Sequence, residues 1–101
     1  MKYQRTDSFA ADYRRLPQAE RERFQKAVAG FNDASDAYGE HHQPFPKALR
    51  VKPVQGAPGI FEMTWSFSGP DGRATFEWSQ AESEPAVLWR RIGGHEIFKN
   101  P

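Results

Sequence analysis

IFEMTWSFSGPDGRATFEWS, residues 60–79, decides the fold. Phe61, Met63, Trp65 and Phe67 alternate with Glu62, Thr64 and Ser66, the period of two that marks a strand with one face in a core. Ser68-Gly69-Pro70-Asp71-Gly72 is turn chemistry, and the alternation resumes after it with Ala74, Phe76 and Trp78. The stretch therefore reads as an antiparallel hairpin. Closing it about the turn pairs Phe67 with Ala74, Trp65 with Phe76 and Met63 with Trp78, which turns the large side chains of both strands to one side.

Working outward toward the C-terminus, residues 80–85 are polar and read as a loop, and residues 86–92 read as a third strand of the sheet. Gly93-Gly94 then frees the backbone before His95. Toward the N-terminus, the period of two begins at Leu49. Before it, NDASDAYGEHHQPFPK, residues 32–47, shows no period and is rich in turn formers, so a long connection is expected there. Its adjacent histidines, His41 and His42, lack the helical spacing of a metal site.

Two helices precede that connection. Residues 18–32 place Phe24, Ala27, Val28 and Phe31 on one stripe, while the Glu and Arg residues near its start form a solvated face. Phe9, Tyr13 and Leu16 recur at helical spacing, with Pro17 closing the segment and Asp7 or Ser8 placed to cap it. Residues 1–5 are expected to form a first strand. The predicted class is α+β: two N-terminal helices packed on a small, mainly antiparallel twisted sheet, in the order β-α-α-β-β-β, as one domain over residues 1–101.

The 101 residues are 38% hydrophobic and 14% aromatic, enough to build a modest core without staples. With no cysteine, disulfides and thiolate metal sites are excluded. The polar start leads to no apolar signal region and no run approaches a membrane span, so a cytoplasmic protein is expected. Net charge is +1, so nucleic-acid contact must come from a local cluster of cations rather than from the field of the whole molecule. Phosphate loops of the GxGxxG and GxxxxGK[ST] types, a GxSxG elbow and an HExxH helix are all missing from the sequence.

LRVKPVQGAPGIFEMTW, DGRATFEW and VLWRRIGGHEIFKNP, in that order after two helices, resemble the RelE/ParE superfamily of toxins from type II toxin–antitoxin systems, the RelE branch most. The resemblance covers most of the chain and is strongest over residues 49–101. It implies a toxin bound by a cognate antitoxin protein, in a toxin–antitoxin hetero-oligomer, and in the RelE branch a ribosome-dependent endonuclease that cuts mRNA. No metal and no other cofactor is implied. Cleavage of that kind uses the RNA 2′-hydroxyl as nucleophile, so it needs proton transfer and stabilisation of phosphorane charge.

On that resemblance Arg73, Arg91 and His95 are the expected catalytic constellation, with Arg50, Lys52, Arg90, Phe98 and Lys99 as RNA contacts. Arg73 opens the middle strand, where a guanidinium suits a phosphate clamp; the same residue is also what a hairpin end beside Asp71 uses. His95 suits proton transfer near neutral pH. Arg90 and Arg91 fall on opposite faces if the strand is regular, and the even spacing from Arg91 to His95 favours a shared face. Glu62 matches a frequent position of the superfamily and reads as structural. Phe98 stands where some members carry tyrosine, so it can stack on a base but has no phenolic proton. The alternatives from other classes are a ParE-like inhibitor that binds DNA gyrase without catalysis, and an antitoxin-binding module that is not toxic.

Overall fold

Apolar spacing and caps dictate the first elements. In the computed structural model, which describes residues 2–41, 50–65 and 72–101 but not the side chains of residues 2, 31–41, 81, 84, 85 and 95, strand β1 spans Lys2–Arg5 and helix α1 spans Asp7–Arg15. The cap of α1 is Thr6, immediately before the expected candidates Asp7 and Ser8: its Oγ1 accepts from Phe9 N at 3.0 Å. Thr6 has the extended backbone an N-cap needs. Helix α1 stops at Leu16, which is extended (φ −70°, ψ 138°), because the ring of Pro17 disfavours helical geometry in the residue before it.

Helix α2 runs Gln18–His41. The connection expected over residues 32–47 is therefore helical as far as His41, and its remainder lies outside the described residues. Asn, Asp and Gly each lower helix propensity by no more than about 1 kcal/mol, whereas only proline blocks propagation outright. No proline occurs between Pro17 and Pro44.

Four further strands complete a five-stranded sheet of order β1-β5-β4-β3-β2. They are β2 (Lys52–Pro53), β3 (Ile60–Thr64), β4 (Arg73–Ala81) and β5 (Glu84–Gly93). β1 pairs with β5 in parallel, and the other neighbours are antiparallel. The two-residue β2, followed by the buried Val54, is a fifth strand beyond the four of the expected β-α-α-β-β-β order.

The β3–β4 hairpin forms, with a different register from the expected one. Phe61 pairs with Phe76 and Met63 with Ala74, so each β4 residue meets a partner four positions earlier than symmetric closure predicts. The cause is Trp65. Its amide donates to Gly72 O at 3.1 Å, and its indole occupies the place where a side chain at Gly72 would stand. Only glycine admits the ring there. Phe67 and the turn residues 68–71 lie outside the described residues.

The polar loop expected over residues 80–85 is a two-residue turn. Ala81 still pairs with Glu84, and Glu82 and Ser83 take φ of 54° and 66°, the left-handed geometry that matches the twist of a tight hairpin.

One sheet face carries the core. Phe9 and Phe24 from the helices pack with Met63, Trp65, Ala74, Phe76, Val87, Trp89 and Ile92. Trp89 sits at the centre, with ring centroids 5.5 Å from Phe76 and 5.7 Å from Phe24, both edge-on, an arrangement that adds about 0.5–1.5 kcal/mol per pair beyond burial. No described helix is long and apolar enough to cross a membrane.

Candidate functional site

The alternation that sends Phe61, Met63, Ala74 and Phe76 into the core places Glu62, Thr64, Arg73 and Thr75 on the opposite sheet face. The ladders align them in two rungs. One runs Lys52, Glu62, Thr75, Arg91 across four strands, and the next runs Thr64, Arg73, Gly93. Glu62 is buried and lies between two cations, with Lys52 Nζ at 3.7 Å and Arg73 Nε at 3.9 Å from its Oε1. The Lys52 side chain is 67% exposed and that of Arg73 12%. Arg73 Nη1 also donates to Gly72 O at 3.3 Å. The result is a carboxylate that holds one exposed and one largely buried cation on this face of the sheet.

Arg73 pairs with Gly93, and the chain leaves β5 there into a 3₁₀ turn, His95–Lys99. The backbone thereby brings His95 within two residues of the rung that carries Arg73; the His95 side chain is outside the described set. The even spacing from Arg91 to His95 has no meaning here, because the paired strand ends at Gly93 and the 3₁₀ turn begins at His95. Ile97, fully buried, anchors the turn against the sheet. Phe98 is half-buried, and Lys99 is exposed on the same segment.

Arg90 and Arg91 are placed by a bulge. Thr75 pairs with Arg91 but Phe76 pairs with Trp89, so Arg90 is the extra residue. This removes the strict alternation on which opposite faces were expected. Thr6 compensates the disrupted ladder: its Oγ1 donates to Arg90 O at 2.7 Å. Arg90 binds Glu77 Oε2 at 3.0 Å and the main-chain oxygen of Pro101 at 3.1 Å.

Arg91 goes to α1. Its Nε and Nη2 donate to the two carboxylate oxygens of Asp12 at 2.6 and 3.2 Å, and its Nη1 donates to Asn100 O at 3.2 Å. The hydrogen bond with Asp12 holds the Arg91 pKa above its ordinary value, against the effect of burial. Asp12 is buried and accepts further from Ile92 N at 3.2 Å.

Of the residues expected to act together, the structure thus groups Arg73 and Lys52 on one surface and brings the His95 backbone beside them. It ties Arg90 and Arg91 to carboxylates and to the C-terminal main chain. Arg50 is exposed at φ 50°, two residues before Lys52. Two participants escaped the sequence reading. Glu62 was read as structural with no partner assigned, although a partner was inferable once its strand mates were fixed. Asp12 has one local partner, Arg15 at 3.5 Å, but its ties to Arg91 and Ile92 span 79 and 80 residues and leave no local signal. Among the described residues, no group of three His, Asp or Glu side chains could hold a metal ion.

Comparison with protein-family models returns no match, and neither does comparison with curated proteins. Solved structures do match. The chain is similar to a YoeB/ParE toxin from Agrobacterium tumefaciens at 20% identity, covering 94% of this chain and 99% of that one with a TM-score of 0.57. It is similar to a chain of the intact RelBE toxin–antitoxin complex of E. coli at 13% identity, covering 92% and 94% with a TM-score of 0.58. A chain of the RelB–RelE antitoxin–toxin complex from Methanococcus jannaschii matches at 11% identity, covering 96% and 95% with a TM-score of 0.58. The α+β fold of this chain is the RelE/ParE-like fold.

Proposed function

We propose that this chain is the toxin of a toxin–antitoxin pair and that it cuts mRNA on the ribosome. The fold supports the first part, since the similar structures include antitoxin–toxin complexes. Fold alone does not fix chemistry. The observation that carries the nuclease reading is the Lys52–Glu62–Arg73 row beside the start of the His95–Lys99 turn.

The row supplies what phosphoryl transfer within RNA requires. The 2′-hydroxyl attacks the adjacent phosphorus, the bond to the 5′-oxygen breaks, and the products are a 2′,3′-cyclic phosphate and a 5′-hydroxyl. Arg73, held by Glu62, stabilises the charge that builds on the non-bridging oxygens. His95 exchanges the proton lost by the 2′-hydroxyl or gained by the leaving oxygen. Lys52, Arg50 and Lys99 neutralise backbone phosphates, and Phe98 offers a ring for a base. Arg91 serves the site through the main chain it holds, and Arg90 does the same at Pro101.

The test is incubation of purified protein with mRNA on ribosomes, followed by analysis of the new ends. Cyclic phosphate and 5′-hydroxyl ends are expected. Intact mRNA, together with inhibition of supercoiling by DNA gyrase, would contradict the nuclease and favour the gyrase-binding alternative; intact mRNA with no effect on growth would favour a module that only binds antitoxin.

A further inference from the structure

The turn that carries His95 and Phe98 is held at three points. At its start, Gly93 is fixed in the ladder opposite Arg73. In its middle, Ile97 is fully buried, with its Cγ2 3.0 Å from where a Cβ on Gly93 would lie. At its end, the main-chain oxygens of Asn100 and Pro101 accept from Arg91 Nη1 and Arg90 Nε.

That third point depends on a residue far away in the chain. A guanidinium presents donors on fixed edges of a plane. Asp12 takes the Nε and Nη2 edge with both carboxylate oxygens, which fixes the plane and leaves Nη1 aimed at Asn100 O. The same carboxylate accepts from Ile92 N, so helix α1, strand β5 and the end of the turn meet at one buried group. The bulge at Arg90 is what allows two consecutive arginines to serve the same stretch of main chain.

We infer that Asp12 is a positioning residue: through Arg91 it clasps the end of the His95–Lys99 turn and holds His95 and Phe98 in register with Arg73. This rests on the nuclease reading above for its kinetic consequence, though not for the clasp itself. Asp12 touches none of the phosphate-facing groups. Its loss lets the turn swing from its C-terminal end, and a displacement of about 1 Å at a reacting group slows catalysis by up to about 100-fold. RNA binding, which draws on Lys52 and Arg50, is retained.

The experiment compares wild type, Asp12→Asn and Arg91→Lys. The lysine variant keeps the charge and loses the fork, so it tests the geometry even if the buried Asp12→Asn site folds poorly. Two readouts are taken: kcat and KM for cleavage of mRNA on ribosomes, and amide hydrogen exchange along the chain. Expected in both variants are a kcat reduced about 10- to 100-fold, a KM within about twofold of wild type, and faster exchange confined to residues 97–100, joined in Asp12→Asn only by the Ile92 amide that Asp12 accepts from. An unchanged kcat in a folded variant overturns the proposal, as does faster exchange spread evenly over β4 and β5. Should the wild-type protein cut no RNA, the nuclease reading fails, and the exchange pattern by itself decides whether the clasp exists.

Discussion

The indole of Trp65 lies over the α-carbon of Gly72, on the side where any other residue would carry its Cβ. This contact sets the register of the hairpin that bears Glu62 and Arg73. Gly72→Ala is expected to destabilise the protein by about 1–3 kcal/mol through overpacking. Gly30, inside α2 with nothing near its missing side chain, provides the contrast: Gly30→Ala is expected to stabilise by about 0.5–1 kcal/mol. Urea unfolding of the two variants checks both signs.

Thr6 joins the N-cap of α1 to the bulge, accepting from Phe9 N and donating to Arg90 O. Thr6→Ala removes both bonds and is expected to cost about 1–2 kcal/mol, whereas Thr6→Ser keeps the hydroxyl and costs much less. Equal losses in the two variants, measured by thermal unfolding, would show that the methyl group rather than the hydroxyl matters.

The Asp12–Arg91 pair has a defined pH signature. Arg91 has its pKa raised in the folded state, chiefly by the Asp12 hydrogen bond. A raised value means that the stabilisation is complete below the unfolded pKa and is lost only as pH rises through the folded one. Both lie far into the alkaline range. A double-mutant cycle on Asp12 and Arg91 is therefore expected to give the same coupling energy at pH 7 and pH 10. A coupling that fades over that interval would place the interaction elsewhere.

Glu62→Gln removes the charge between Lys52 and Arg73. Cleavage is expected to slow at least about tenfold, because the Arg73–Glu62 pair is largely buried, with side chains 12% and 10% exposed, and the amide takes away one counter-charge of Arg73. RNA affinity is expected to rise, since a negative charge leaves the surface proposed to bind phosphate. Electrophoretic mobility shifts with a short RNA report the second effect; weaker binding would mean that Glu62 shapes the surface more than it repels phosphate.

Much of this architecture was legible in the residues. Alternation at Phe61, Met63 and Phe76 gave strands, helical spacing at Phe9, Tyr13 and Phe24 gave the first helix and much of the second, and the two sets shared one core. The register was not legible, because symmetric closure assumes that the turn decides, whereas Trp65 and Gly72 decide through a tertiary contact. The length of α2 was missed because Asn, Asp and Gly were weighed as breakers when none of them removes a backbone donor. The bulge at Arg90 and the tie from Asp12 to Arg91 leave no local trace; both depend on groups that become neighbours only after the sheet closes on α1.

Whether this chain cuts mRNA is tested most directly by mapping mRNA 5′ ends by primer extension after the protein is induced in cells, with wild type, Arg73→Ala and His95→Ala compared. A nuclease built on Arg73 and His95 gives discrete new ends within coding regions in the wild type and loses them in both variants, with the variants still folded. Growth arrest without new ends, or new ends that persist in both variants, would contradict it.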